Sequence, residues 1–152
     1  MERARILVVD DEVAFTRLLR LTLPEFEVRE ENDPKRVVQT ALEWRPDLVL
    51  LDVIMPGMDG GEVAAQLRAE AHLSQMPIVF VTAIVSQKEA QSRTLLGGFP
   101  FLTKPITPEA LRQCIGTYLP SASSASGGLS GLSRGLVNGA KRLAGLFTGG
   151  ST

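Results

Sequence analysis

Residues 47–60 read DLVLLDVIMPGMDG, and the fold is decided by three features of that stretch. Leu48–Leu51 is an unbroken aliphatic run, short enough for a strand buried on both faces of a sheet. It stops at an acid, Asp52. Met55–Gly61 (MPGMDGG) then supplies turn chemistry, and a helical pattern follows from about Gly61 to Ala71.

The same order of strand, polar stop and helix recurs on either side. Upstream, Arg5–Val9 is a compact aliphatic run ending at Asp10-Asp11, and Val13, Leu18, Leu19 and Leu23 follow at roughly helical spacing. Pro24 discourages further helix. Phe26–Arg29 reads as a short second strand that runs into Glu30-Glu31, with no comparable partner and hence an edge position. Asp33-Pro34 opens a helix with the carboxylate as N-cap and proline at the first helical position. Val37, Val38, Ala41 and Leu42 supply that helix's buried face, and Trp44 reads as core packing near its end. Downstream, Ile78–Val81 is a fourth strand ending at Thr82. A weakly patterned helical segment runs from about Ser86 to Leu96. Phe99–Thr103 is a fifth strand, stopped by Lys104-Pro105. Thr107-Pro108-Glu109 opens a last helix whose inward face includes Leu111, Cys114, Ile115 and Tyr118.

Five strands alternating with five helices predict an α/β protein with a doubly wound parallel sheet covered on both faces. In such sheets ligands bind beyond the carboxyl ends of the central strands. The polar residues at those ends are Asp10-Asp11, Asp52, Thr82 and Lys104. Three carboxylates converging on one rim repel one another unless a cation compensates them. Magnesium is the hard cation that tolerates one or two protein carboxylates and keeps waters for a phosphate to displace. A lysine and a hydroxyl beside it add donors for a bound anion, so the set meets the needs of phosphoryl transfer.

The segments ILVVDDE, DLVLLDVIMPGMDG, PIVFVTA and FLTKPI resemble the response-regulator receiver family in order and spacing. The likeness covers residues 4–119. It implies a flavodoxin-like sheet of order 2-1-3-4-5 and makes Asp52 the nucleophile that accepts a phosphoryl group from a sensor histidine kinase or a histidine phosphotransfer protein. Asp11 would ligate magnesium directly and Asp10 mainly through water, with Asp52 and the carbonyl of Ile54 completing the protein ligands. Lys104 would pair with the phosphoryl group, Pro105 following it in a cis peptide bond. Thr82 would hydrogen-bond a phosphoryl oxygen, and Phe101 matches the aromatic switch position that moves with it. The family's usual Gly-Ala-x-Asp-Tyr is here Gly97-Gly98-Phe99-Pro100-Phe101. This places apolar surface at Phe99 and Pro100, which suits either a partner or self-association surface (a homodimer) or local packing of a short loop. Ile54 and Ile84 would flank the route of the hydrolytic water and slow self-dephosphorylation. A receiver is a signalling phosphoacceptor and would not ordinarily be classed as an enzyme. The rival readings lack their signatures. A pseudo-receiver, acting only as a protein-interaction module, usually lacks an acid-pocket residue or the lysine. A haloacid-dehalogenase-type hydrolase needs an aspartate where Ile54 stands, and a flavin site needs hydroxyls where Asp10-Asp11 stand.

Composition sets the remaining bounds. No apolar run approaches the ~18 residues of a membrane-spanning helix, and nothing resembles a signal peptide, so a cytoplasmic protein is expected. Cys114 stands alone, which excludes an internal disulfide and a cysteine metal cage. The 16 Lys and Arg of the chain include Arg134, Lys141 and Arg142, leaving residues 1–120 with 13 against 17 acids and a net charge of −4. Nucleic acid is an unlooked-for partner for such a domain. Residues 121–152 carry +3 and open on the linker composition SASSASGG. That segment is too short for a second folded domain, and a stand-alone receiver is expected. Leu129, Leu132, Leu136, Ala140, Leu143 and Phe147 form a stripe at helical spacing, so a disordered tail, a docking helix and contact with a membrane surface all remain open.

Overall fold

The computed structural model describes residues 3–83, 95–96 and 98–119. Five parallel strands form its centre: β1 (Arg5–Val9), β2 (Glu27–Glu31), β3 (Leu48–Leu51), β4 (Ile78–Thr82) and β6 (Phe99–Thr103). They lie in the order β2-β1-β3-β4-β6, with the two-residue β5 (Leu95–Leu96) antiparallel at the outer edge of β6. Counting the parallel strands alone, this is the expected order 2-1-3-4-5. Helices α1 (Val13–Thr22), α2 (Val37–Trp44), α3 (Gly60–Ala69) and α4 (Pro108–Tyr118) cover the two faces.

Side-chain alternation along the strands sorts the core into two layers. Leu7, Val9, Val49, Leu51, Ile78 and Phe80 face α2 and α3, packing on Val37, Ala41, Val63 and Leu67. Ile6, Val8, Leu48, Leu50, Val79 and Val81 face α1 and α4, packing on Leu19, Leu23, Leu111 and Ile115. Every residue of β3 is buried, the consequence of its central position. Each fully buried aliphatic side chain contributes about 1.5–3 kcal/mol by leaving water. The sheet is pinned at its lower end by Asp47, whose carboxylate accepts the Arg5 backbone N–H at 2.8 Å while its own N–H donates to the Arg5 carbonyl at 2.7 Å. Trp44 packs on the first layer, with the guanidinium groups of Arg5 and Arg29 5.8 and 5.1 Å from its ring.

Side-chain caps start the chain's turn into α2 and the helices α3 and α4. Asp33 accepts the Lys35 N–H and opens a 3-10 turn, Pro34–Arg36, that leads into α2. Asp59 caps α3 by accepting the Glu62 N–H at 2.9 Å, and Thr107 caps α4 through the Ala110 N–H at 3.1 Å. Arg45 ends α2 in the left-handed region.

The structure corrects three expectations. On α1, Val13 and Leu18 are exposed, as is Leu21; the buried residues are Thr16 and Leu19, continued by Leu23, with Phe15 partly buried beside them. Thr16 takes an inward position because its hydroxyl serves the polar groups at the end of β2. Strand β2 extends through Glu30 and Glu31, beyond the expected Arg29. Leu95–Leu96, expected to close a helix, pair with Pro100 and Phe99 as β5. Only two residues remain between Leu96 and Phe99, and Gly98 adopts φ +90°, the backbone a tight hairpin turn needs. The rest of that expected helix, with Ile84, lies outside the described residues, as does the 121–152 tail. No helix among the described residues is long and apolar enough to cross a membrane.

Candidate functional site

The carboxyl ends of β1 and β3 bring three acids together. Asp10 is buried, Asp11 exposed and Asp52 buried, and each offers an oxygen within 4.8 Å of the others'. Hydrogen bonding fixes Asp10 on all sides. One carboxylate oxygen accepts the Glu12 N–H at 2.9 Å and the other the Lys104 ammonium at 2.6 Å. Its carbonyl accepts from the Asn32 amide at 2.8 Å. Asp52 is held through the sheet, its N–H donating to the Val9 carbonyl at 2.9 Å.

The turn after Asp52 is built around close backbone approach. Gly57 takes φ +84°, and Gly60 donates its N–H to the Val53 carbonyl at 2.6 Å. A Cβ on Gly60 would lie 2.3 Å from the Asp52 carbonyl oxygen, so only glycine lets α3 begin directly beneath the acid.

Burial and the neighbouring Asp10 charge push the Asp52 carboxyl up from 3.8 to about 6. Lys104 and the backbone N–H groups of Ile54 and Val53 act in the opposite direction without cancelling the shift. Among the described residues, the pocket gathers three carboxylates against the single ammonium of Lys104. Its donors are hard carboxylate oxygens, among the described residues, and they fit a hard divalent cation.

The remaining predicted site residues, Ile54 apart, lie on β4 and β6 and just beyond. Thr82 is buried at the end of β4, and its carbonyl accepts the Lys104 N–H at 2.9 Å. By strand alternation Thr82 faces the same layer as Phe80, against which Phe101 is paired. Phe101 is half-buried there. The Lys104–Pro105 peptide bond is cis. Ile54 is exposed and reaches Asp52 through its backbone N–H. Phe99 stands edge-on to Phe80, ring centroids 5.3 Å apart, with the Arg68 guanidinium over its ring. Of the two readings of this segment, local packing accounts for Phe99. Cys114 is buried, its thiol pushed up to about 12 by that burial, and is inert.

Sequence reasoning missed the residues that brace the acids. Asn32 was legible in principle, since it directly follows the strand that flanks Asp10. Phe15, whose ring centroid lies 4.1 Å from the Lys104 ammonium, carried no signal in its type or spacing.

An acid pocket at the carboxyl rim of a doubly wound sheet, with a lysine on one acid and a threonine at the next strand end, defines a receiver-type α/β protein. Comparison with known proteins agrees. The response regulator receiver domain family matches residues 6–116, and the chain belongs to that family. The response regulator PleD of Caulobacter vibrioides is 41% identical over 105 residues, 68% of this chain and 23% of that protein. A probable transcriptional regulator, ycf27 of Porphyridium aerugineum, is 31% identical over 140 residues, 91% of this chain and 57% of that protein. The chain thus spans roughly a quarter to a little over half the length of these relatives. Among solved structures, the chemotaxis protein CheY4 of Vibrio cholerae superposes with a TM-score of 0.68 at 28% identity, covering 77% of this chain and 99% of that one.

Proposed function

We propose that the chain is a phosphorylation-dependent switch in which Asp52 accepts a phosphoryl group from the phosphohistidine of a sensor histidine kinase or a histidine phosphotransfer protein. Residues 1–120 form the receiver unit and 121–152 a tail. The observation that carries this reading is the acid cluster itself: Asp52, buried beside Asp10 and pushed up to about 6, lies with Asp10 and Asp11 in one group of oxygen donors.

In the transfer, a carboxylate oxygen of Asp52 bonds to phosphorus as the phosphorus–nitrogen bond to the donor imidazole breaks. The bonding pair returns to that nitrogen, and the product is an acyl phosphate. Asp10, Asp11, Asp52 and the Ile54 carbonyl are the groups that would hold Mg2+, which when bound neutralises charge on the phosphoryl oxygens. Lys104 already acts on the charge of Asp52 and supplies the ammonium for a phosphoryl oxygen. The buried Thr82 hydroxyl is the donor at the next strand end. Its movement toward the new group, with Phe101 behind it in the same layer, converts added charge into a changed surface on the β4–β6 side. Val13 and Ile54, each two residues beyond a pocket aspartate, are exposed apolar side chains and favour a protein donor docking at the rim. Whether the phosphoryl group then changes binding of a downstream protein or is relayed onward depends on partners that the pocket does not select.

The test is a phosphotransfer profile against the host's histidine kinases, with Asp52→Asn as control. Transfer from one kinase to the wild-type chain, absent in the variant, is the expected result; equal labelling of both refutes the assignment. Ile54 beside the acid also predicts an acyl phosphate that persists for minutes, and loss within seconds in purified protein contradicts this.

A further inference from the structure

Lys104 is the one cation of the pocket, among the described residues, and its surroundings are unusual. Its ammonium is 2.6 Å from Asp10, 3.8 Å from Glu12 and 4.1 Å from the centroid of Phe15. The side chain is only 15% exposed, so little water shares that shell. Two of the three contacts are carboxylates, and the buried one is a group the pocket also offers to a metal. The third is neutral.

We propose that Phe15 is a positioning residue for Lys104: its ring face holds the ammonium in place while the lysine exchanges Asp10 for a phosphoryl oxygen. The inference rests on the phosphoacceptor reading above and extends it to a residue on α1. A lysine bound only to Asp10 faces a conflict, because any cation that binds the pocket competes for the same carboxylate. Phe15 is outside that competition. The negative face of an aromatic ring attracts an ammonium without neutralising it, and the attraction is larger where water is excluded. It also leaves the ammonium's hydrogens free to turn from one anion to another, since a ring face demands no particular donor direction. Phe15 itself is fixed, half-buried against the layer of Leu19, Leu111 and Ile115, so it can act as a wall. Lysine rotamer freedom is large, and restricting it in advance favours capture of the incoming group.

The probe is fluoroberyllate with Mg2+, titrated onto the full chain by calorimetry. Phe15→Leu, which preserves apolar packing but not the ring, weakens binding about three- to tenfold. Phe15→Tyr, which restores a ring face, returns it to within about twofold of wild type. A role in packing alone predicts no such difference between the two variants once both are shown folded by urea titration. A second measurement uses the wild-type chain and so survives a Phe15→Leu that fails to fold. Proton NMR of the Lys104 ε-methylene should show an upfield ring-current shift that persists when fluoroberyllate binds. Loss of that shift on binding, or wild-type affinity in Phe15→Leu, overturns the role of Phe15 alone. Failure of the wild-type chain to bind fluoroberyllate overturns the phosphoacceptor reading and this inference together.

Discussion

Two pairs of adjacent acids stand at neighbouring strand ends of this sheet, and they meet opposite fates. At the end of β2, all four carboxylate oxygens of Glu30 and Glu31 have donors. Glu30 accepts the Thr16 hydroxyl at 2.7 Å and pairs with Arg20 at 2.6 Å. Glu31 accepts the Thr40 hydroxyl at 2.7 Å and the Asp33 N–H at 3.1 Å. At the ends of β1 and β3, Asp10 pairs with Lys104, the one ammonium at the acids among the described residues, and Asp52 stays pushed up to about 6. Acidity at a strand end is therefore not what marks a site. The mark is charge that the protein gathers and leaves uncompensated, because a structure gains from that only when something else supplies the cation.

The widest separation between the two clusters is expected in phosphoryl uptake. Asp52→Asn should lower uptake from a small phosphodonor with Mg2+ by at least about 100-fold, while Glu31→Gln stays within about twofold. Intact-mass spectrometry reads both, and comparable losses would erase the distinction. Next comes the backbone that supports the acid. Gly60→Ala places a Cβ against the Asp52 carbonyl and should destabilise by about 2–3 kcal/mol in urea titrations. Gly116→Ala on α4, where nothing lies within 4 Å of a new Cβ, should stabilise by about 0.5–1 kcal/mol.

The charge itself predicts a pH effect of known sign. A carboxyl whose folded value is raised binds its proton more tightly folded than unfolded, so stability falls as pH rises from about 4 through about 6. Without divalent cations, Asp52→Asn removes that penalty and should be more stable than wild type by of order 2 kcal/mol at about pH 8. The advantage should vanish near pH 4. An advantage of equal size at both pH values would mean that ionisation of Asp52 is not its source. The smallest effect belongs to the satisfied cluster: Thr40→Val removes one donor to Glu31 and should cost about 1 kcal/mol at unchanged uptake.

How much of this was legible in the sequence follows from where each residue's partners lie. Strands β1, β3 and β6 match their expected limits because each apolar run is bounded by charge or proline within the same few residues. The acids of the site were equally legible, since each stands at a strand end, and so were Thr82 and Lys104. Residues whose roles depend on distant partners were not. Glu30 and Glu31 read as the stop of β2 because their side-chain donors come from α1 and α2, segments that the local pattern cannot connect to them. Leu18 read with Leu19 and Leu23 as part of one helical pattern, although the leucine faces outward and Thr16 is the buried residue beside Leu19. Leu95–Leu96 carried helical composition, but the Gly98 turn folds them back onto β6 as an antiparallel edge. The contacts of Lys104 with Asp10 and with Phe15 join residues about ninety positions apart, which no local pattern encodes.

The most direct test of the central claim locates the phosphoryl group chemically. The chain is incubated with Mg2+ and a phosphodonor, then reduced with borohydride, which converts an aspartyl phosphate to homoserine, and its peptides are sequenced by mass spectrometry. Homoserine at position 52, and at neither Asp10 nor Asp11, is the predicted result. Homoserine at another acid, or an unmodified Asp52 in a chain that has gained phosphate, would contradict it.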